Sequence, residues 1–190
     1  MIEREIKQII SYDEYIKLVD FMSIFPSESV EQLNHYYDTD SGYYNSIKTT
    51  VRIREKNGRL KGTVKSHSSC DKSEEREFKV SALPERFVID ERNVFYKGKL
   101  YTERVSYRLG NGIVLFIDKN SYLDTVDYEV EIEYPNGLEE ISKTLIVAIR
   151  KFIDSTYSNK RMSKSERFYK RKEELENERT RAVYKRSRES

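Results

Sequence analysis

The sequence predicts an α+β protein, mainly β: an eight-stranded antiparallel sheet closed into a tunnel, with a charged lumen and helices packed outside. Three observations carry that expectation. Eight segments alternate with a period of two, the spacing that sends neighbouring side chains to opposite faces of a strand. Charges on these strands are sorted by sign, with carboxylates on the first and last and cations on the third and fourth. Amphipathic helical stretches are available to cover the apolar face from outside, which frees the charged face to become an interior.

The strands are expected near 2–8, 30–38, 49–56, 59–66, 74–80, 99–108, 113–121 and 126–134. In the first, "EREIK" puts Glu3, Glu5 and Lys7 on one face, against Ile2, Arg4, Ile6 and Gln8 on the other. A helix should follow, because Ser11 and Glu14 form a capping box and Tyr15, Ile16, Val19 and Met22 recur at helical spacing. Tyr36, Tyr37, Tyr43 and Tyr44 cluster near the second strand, where packing is expected over base stacking. "KNGR" at 56–59 is the Asn-Gly hairpin signal between the third and fourth strands, and "GNG" at 110–112 joins the sixth and seventh. The stretch from Ala82 to Phe95, with Pro84 near its start, reads as a short helix or two. A further helix after Pro135-Asn136-Gly137 would bury Ile141, Leu145, Ala148, Ile149 and Phe152.

The composition narrows the function classes. A chain of 190 residues most naturally forms one domain with a sizeable core. Hydrophobic residues make up 37% and charged residues 36%, so structured elements as well as loops must carry charge. The net charge of +2 does not indicate a uniformly basic nucleic-acid protein. From Ser158 onward twelve Lys or Arg face six Glu, a surplus of six that leaves the first 157 residues at −4. Residues 1–170 are therefore expected to form the domain and 171–190 a basic helical tail. Cys70, the one cysteine, excludes an internal disulfide and is expected on a loop. With no apolar leader, the expected location is the cytoplasm. "LIVAI" at 145–149 is too short to span a bilayer. His35 and His67 are expected at the surface or in loops, without function. Too few His and Cys are present for a zinc site, so any metal would sit on carboxylates, as magnesium, manganese or calcium do.

A charged lumen is costly unless its charges are neutralised. Opposed acidic and basic blocks with a polyanion and divalent cations between them would resolve that cost. Arg52 and Arg54 share a face and offer planar forks for phosphate oxygens, while Lys61 and Lys65 on the next strand add point charges. Glu75 and Glu77 alternate on the fifth strand, and Glu129, Glu131 and Glu133 on the eighth. Such glutamates are hard oxygen ligands for Mg²⁺ or Mn²⁺.

These residues resemble the CYTH domain proteins, also called triphosphate tunnel metalloenzymes, whose N-terminal motif E-x-E-x-K is matched by Glu3, Glu5 and Lys7. Further matches follow in the family's order: "HYYDT" at 35–39, "VRIRE" with Arg52 and Arg54, "GTVK" with Lys65, and "YTERVSYR" with Arg104. "LFIDKNSYLDTVDYEVEIE" resembles the aspartate strand and the E-x-E strand, and "SKSERFYKRK" the closing segment with Lys164. The resemblance covers roughly residues 1–170 and is nearest the bacterial subgroup assigned to inorganic triphosphate hydrolysis. It implies Mg²⁺ or Mn²⁺ on Glu3, Glu5, Asp118, Glu129 and Glu131. It implies phosphates on Lys7, Arg52, Arg54, Lys65, Arg104 and Lys164, with Lys7 at the scissile phosphate or the leaving oxygen. Glu129 and Glu131 are preferred over Glu133 by their distance from Asp118, Glu75 and Glu77 are open, and Lys61 is placed nearer the tunnel mouth. The expected activity is metal-dependent hydrolysis of a triphosphate, inorganic tripolyphosphate first, then nucleoside (ATP) or thiamine triphosphate. The rivals are an adenylate cyclase and a non-catalytic module for polyphosphate or RNA 5′-triphosphate ends. A small triphosphate is the expected partner, with a homodimer allowed, no membrane, and nucleic acid not expected.

Overall fold

A computed structural model describes residues 2–67, 72–155 and 162–186. The chain runs β1 (Ile2–Ile10), α1 (Tyr12–Met22), β2 (Glu28–Asp38), α2 (Tyr43–Ser46), β3 (Thr49–Lys56), β4 (Arg59–His67) and β5 (Lys72–Phe78). It continues through β6 (Arg86–Ile89), β7 (Arg92–Gly110), β8 (Ile113–Tyr122), β9 (Thr125–Glu133), α3 (Glu139–Phe152) and α4 (Lys164–Arg186). The strand order is β2-β3-β4-β5-β1-β9-β8-β7, and β2 pairs with β7 to close the ring. Every pairing is antiparallel. The result is a closed eight-stranded barrel, with β6 added on β7 outside the ring.

Alternation decides which face turns inward. Ile6 and Ile10 of β1, Leu115 and Ile117 of β8, and Val130 and Ile132 of β9 are buried together on the outer face. Leu18 and Met22 of α1 and Ile146 of α3 complete that core. The helices thus bury the apolar face from outside, and the charged residues of the same strands point into the lumen. Ser11 caps α1 as expected: its hydroxyl accepts from the Glu14 amide at 3.2 Å, and its amide donates to the Glu14 carboxylate at 2.6 Å.

Two expectations are corrected. Ala82–Phe95 is not helical; it holds β6 and the start of β7, joined at Asp90 and Glu91. Both residues have positive φ, +46° and +62°, the two-residue hairpin geometry that usually announces itself with Asn-Gly. Asp-Glu hides that signal, while Phe87, Ile89 and Val94 supply the apolar positions. In α3 the buried positions are Ser142 and Ile146, whereas Ile141 and Phe152 lie exposed, so the inward face is rotated from the expected stripe. The tyrosines do pack: Tyr36, Tyr37 and Tyr44 are buried. Cys70 lies outside the described residues.

α4 docks at one end of the barrel. Phe168 is 0% exposed and joins Tyr36, Leu100 and Tyr122 in a separate core. Its ring lies 5.0 Å from that of Tyr36. A Cβ at Gly98 would come within 2.6 Å of the Phe168 ring, and Gly98 has φ +142° beside the register shift between β2 and β7. A side chain at position 98 would therefore displace the helix. Ser163 starts the helix, its hydroxyl accepting from the Glu166 amide at 3.2 Å while its amide donates to the Glu166 carboxylate at 2.7 Å. No helix among the described residues is long and apolar enough to cross a membrane.

Candidate active site

Strand parity delivers the lumen. Glu3, Glu5 and Lys7 from β1 project inward beside Glu131 and Glu133 of β9, since Glu5 pairs with Glu133 and Lys7 with Glu131 across the ladder. Arg52 and Arg54 come from β3, Lys65 from β4, Arg104 from β7, and Lys164 from the first turn of α4. All of these line one inner cavity, together with Tyr36, Thr50, His67, Ser163 and Ser165. A second cavity forms the mouth, where Arg52, Arg54, Lys56, Lys61, Glu75 and Arg104 meet Glu3 and Glu133.

The charges fall into two groups. Asp118, Glu129 and Glu131 form a buried carboxylate cluster, against which Lys164, Arg104 and Arg167 pack. Lys164 Nζ lies 2.8 Å from Asp118 and 3.0 Å from Glu131, and it also contacts Glu129. Arg104 donates from Nε and Nη2 to Asp118 at 2.7 and 2.6 Å and also contacts Glu131. Arg167 Nη2 reaches Glu129 at 2.8 Å. Burial opposes the charge on Asp118, but Lys164 and Arg104 outweigh it and hold the carboxyl well below the usual range.

Glu3, Glu5 and Glu133 form the other group, each presenting a carboxylate oxygen within 4.8 Å of the others. Lys7 Nζ donates to Glu5 at 2.6 Å, and Lys65 contacts Glu3 and lies 3.4 Å from Glu5. Glu5 is buried, yet Lys7 and Lys65 hold it well below the ordinary carboxylate range. Burial disfavours a charge on Lys7, but Glu5 and Glu131 overcome it and raise its pKa, so this amine stays an ammonium. Glu133 differs: it has no ion pair within 4 Å among the described residues. Burial, then Glu3 and Glu131, push it up to about 8. This donor set fits a hard divalent cation, because opposite oxygens around Mg²⁺ lie about 4.2 Å apart at bonds of about 2.1 Å.

The raised pKa predicts a pH effect. A group raised from 4.5 to about 8 stabilises the fold fully below pH ~4.5 and loses that contribution as pH climbs through 8. Denaturant titrations in EDTA should show stability falling between pH 5 and 9 by on the order of a few kcal/mol, and Glu133→Gln should flatten that slope. An unchanged slope in the variant would refute the assignment.

Among the other expected residues, Glu75 comes inward, 3.3 Å from Arg52 and 3.6 Å from Lys65. Lys61 stays at the mouth, 2.6 Å from Glu77, with the two side chains 55% and 50% exposed. Glu77 is thus not brought among the inner charges. The histidine expectation is corrected: His35 is buried on β2, 3.8 Å from Glu55, and His67 lines the inner cavity at the end of β4. His67 shares parity with Lys61 and Lys65, so its position was readable from the strand pattern. Arg167, three residues after Lys164 on one helix face, was also readable but overlooked. Thr50 likewise shares parity with Arg52 and Arg54 on β3.

A sequence model of the CYTH domain matches residues 1–169. The chain belongs to the CYTH domain family. Over 147 residues it is 28% identical to the Bacillus subtilis (strain 168) protein named "Putative triphosphatase YjbK", covering 70% of this chain and 77% of that one. A Bacillus halodurans structure described as a "putative adenylate cyclase" superposes with a TM-score of 0.69 at 24% identity, covering 88% of this chain and 97% of the other. Hippeastrum HpAC1, an adenylyl cyclase candidate described as having a dominant triphosphatase activity, gives 0.65 at 24% identity, covering 83% and 92%. These two structures share the fold of the present chain.

Proposed function

We propose that this CYTH protein is a metal-dependent hydrolase of triphosphates, with inorganic tripolyphosphate as first substrate and ATP or thiamine triphosphate after it. The observation that carries the reading is the juxtaposition of Arg52, Arg54 and Arg104 with the Glu3–Glu5–Glu133 group inside one closed barrel. The triphosphatase names of the B. subtilis and Hippeastrum relatives support it.

Glu3, Glu5 and Glu133 would hold Mg²⁺ or Mn²⁺, and Asp118, Glu129 and Glu131 serve chiefly as counter-ions that fix Lys164, Arg104 and Arg167. A divalent cation bound there would supply charge neutralisation at the phosphoryl oxygens. Arg52, Arg54 and Lys65 grip the non-bridging oxygens. Lys7, held charged beside Glu5, steadies the leaving oxygen as a point-charge donor. Burial of these groups strengthens every such contact relative to water.

Phosphate release from tripolyphosphate, ATP and thiamine triphosphate, with Mg²⁺, Mn²⁺ or EDTA, tests the proposal alongside a cyclic AMP assay. Metal-dependent release fastest from tripolyphosphate is expected. Cyclic AMP from ATP would place the chain with the cyclases, where the ribose 3′-hydroxyl attacks instead of water. Triphosphate binding without turnover would leave a binding module. Light scattering on the same preparation would read whether the cytoplasmic protein we envisage is a homodimer.

The domain proper ends near residue 170 in this reading. α4 continues past it as one helix, exposed over 172–184 except at Lys172 and Leu175 and bearing surface pairs such as Lys172–Glu176 at 3.2 Å. Deleting everything after Arg171 should leave tripolyphosphate turnover within about twofold, since exposed pairs of this kind contribute little. A tenfold loss would show that the tail serves the site.

A further inference from the structure

Lys7, Lys65, Arg52, Arg104, Lys164 and Arg167 each lie within ion-pair distance of a carboxylate. Arg54 does not, among the described residues. Its hydrogen-bond partner is neutral: Nε donates to Asn34 Oδ1 at 3.0 Å. Asn34 is 1% exposed on β2, directly across the ladder from Arg54 on β3. The donor fixes the amide's orientation, because Oδ1 must face the guanidinium. Holding Arg54 by Nε leaves both η nitrogens to the lumen, where Arg54 lines the inner cavity and the mouth alike. Burial, then the charges of Arg52 and Arg104, press its pKa down to about 9, the mark of a cation short of anions.

We propose that Asn34 is a positioning residue that aims Arg54 at the substrate while leaving its charge unneutralised, making Arg54 the anchoring cation for an incoming triphosphate. This role rests on the triphosphate reading above. A carboxylate at position 34 would hold Arg54 as well or better, but it would cancel the charge that the substrate needs. The choice of amide over acid therefore sacrifices a buried ion pair for anion affinity.

The consequence separates stability from binding. Asn34→Asp gives Arg54 a resident counter-ion, so its melting temperature should equal or exceed that of the unaltered chain. Its affinity for tripolyphosphate, measured by calorimetry in EDTA, should fall about 10- to 100-fold, the value of one charge-assisted contact. In turnover the loss should appear mainly in KM. Asn34→Leu removes the acceptor and should lower both melting temperature and affinity. In an Arg54→Met background, Asn34→Asp should change affinity less than about twofold, because the effect passes through Arg54. A Kd for Asn34→Asp within twofold of the unaltered protein would overturn the role, as would a full loss persisting in the Arg54→Met background. If the unaltered chain binds no tripolyphosphate, the triphosphate reading itself fails, and this role with it.

Discussion

Replacing Glu3 and Glu5 together by Gln is expected to cut metal-dependent phosphate release by about 10³-fold or more. A metal is worth several kcal/mol to a transferring phosphoryl group, and each 1.36 kcal/mol is tenfold in rate. The variant should stay folded, because each lysine keeps a second carboxylate. Lys7 lies 3.8 Å from Glu131, and Lys65 lies 3.6 Å from Glu75. Binding of tripolyphosphate in EDTA should hold or tighten, since the lumen loses two negative charges. That pairing of lost turnover with kept binding separates loss of a metal seat from loss of structure. Turnover surviving at a tenth of the original rate or better would remove Glu3 and Glu5 from the metal site.

Phe168→Ala should give the largest loss of stability from one side chain. The ring is fully buried where α4 meets the barrel, against Tyr36 and Tyr122, and removing it should cost ~3–5 kcal/mol. For a chain of this length that corresponds to a melting temperature lower by roughly 10 °C. Activity should fall as well, assayed well below the melt. Lys164 stands one turn before Phe168 on the same helix, and it reaches Asp118, Glu129 and Glu131 only while that helix is seated. A thermal melt together with a tripolyphosphate rate at 20 °C reads both effects. A variant melting within 2 °C of the original would mean that the Ser163 cap and the Arg167 pairs seat the helix unaided.

The two experiments probe different layers of the molecule. Glu3 and Glu5 act through strand parity, which is a local property. Phe168 acts through a docking that joins a helix beginning at residue 164 to Tyr36 of β2, Leu100 of β7 and Tyr122 of β8, all distant in the chain.

That division marks how far the sequence reads. Period-two alternation set the charged faces of β1, β3, β4, β5 and β9, because a residue's face depends only on its neighbours in the chain, whereas Arg104, Asp118 and Lys164 were named only through the resemblance to the CYTH domain proteins. The turn at 56–59 and the cap at Ser11 were equally local. The hairpin at Asp90–Glu91 was hidden because positive φ there is imposed by pairing of β6 with β7 rather than invited by glycine. On β9 the sequence ranked Glu129 and Glu131 above Glu133 as metal ligands by distance from Asp118, and the metal seat proposed above reverses that order. Their roles depend on the offset between β9 and β1, which sets Glu133 opposite Glu5, and on α4, which brings Lys164 to Glu129. Asn34 gained its meaning only when β2 and β3 came into register and placed it across from Arg54. Tertiary structure decided these pairings, since which charge meets which partner is a matter of register and docking, and no local pattern encodes either.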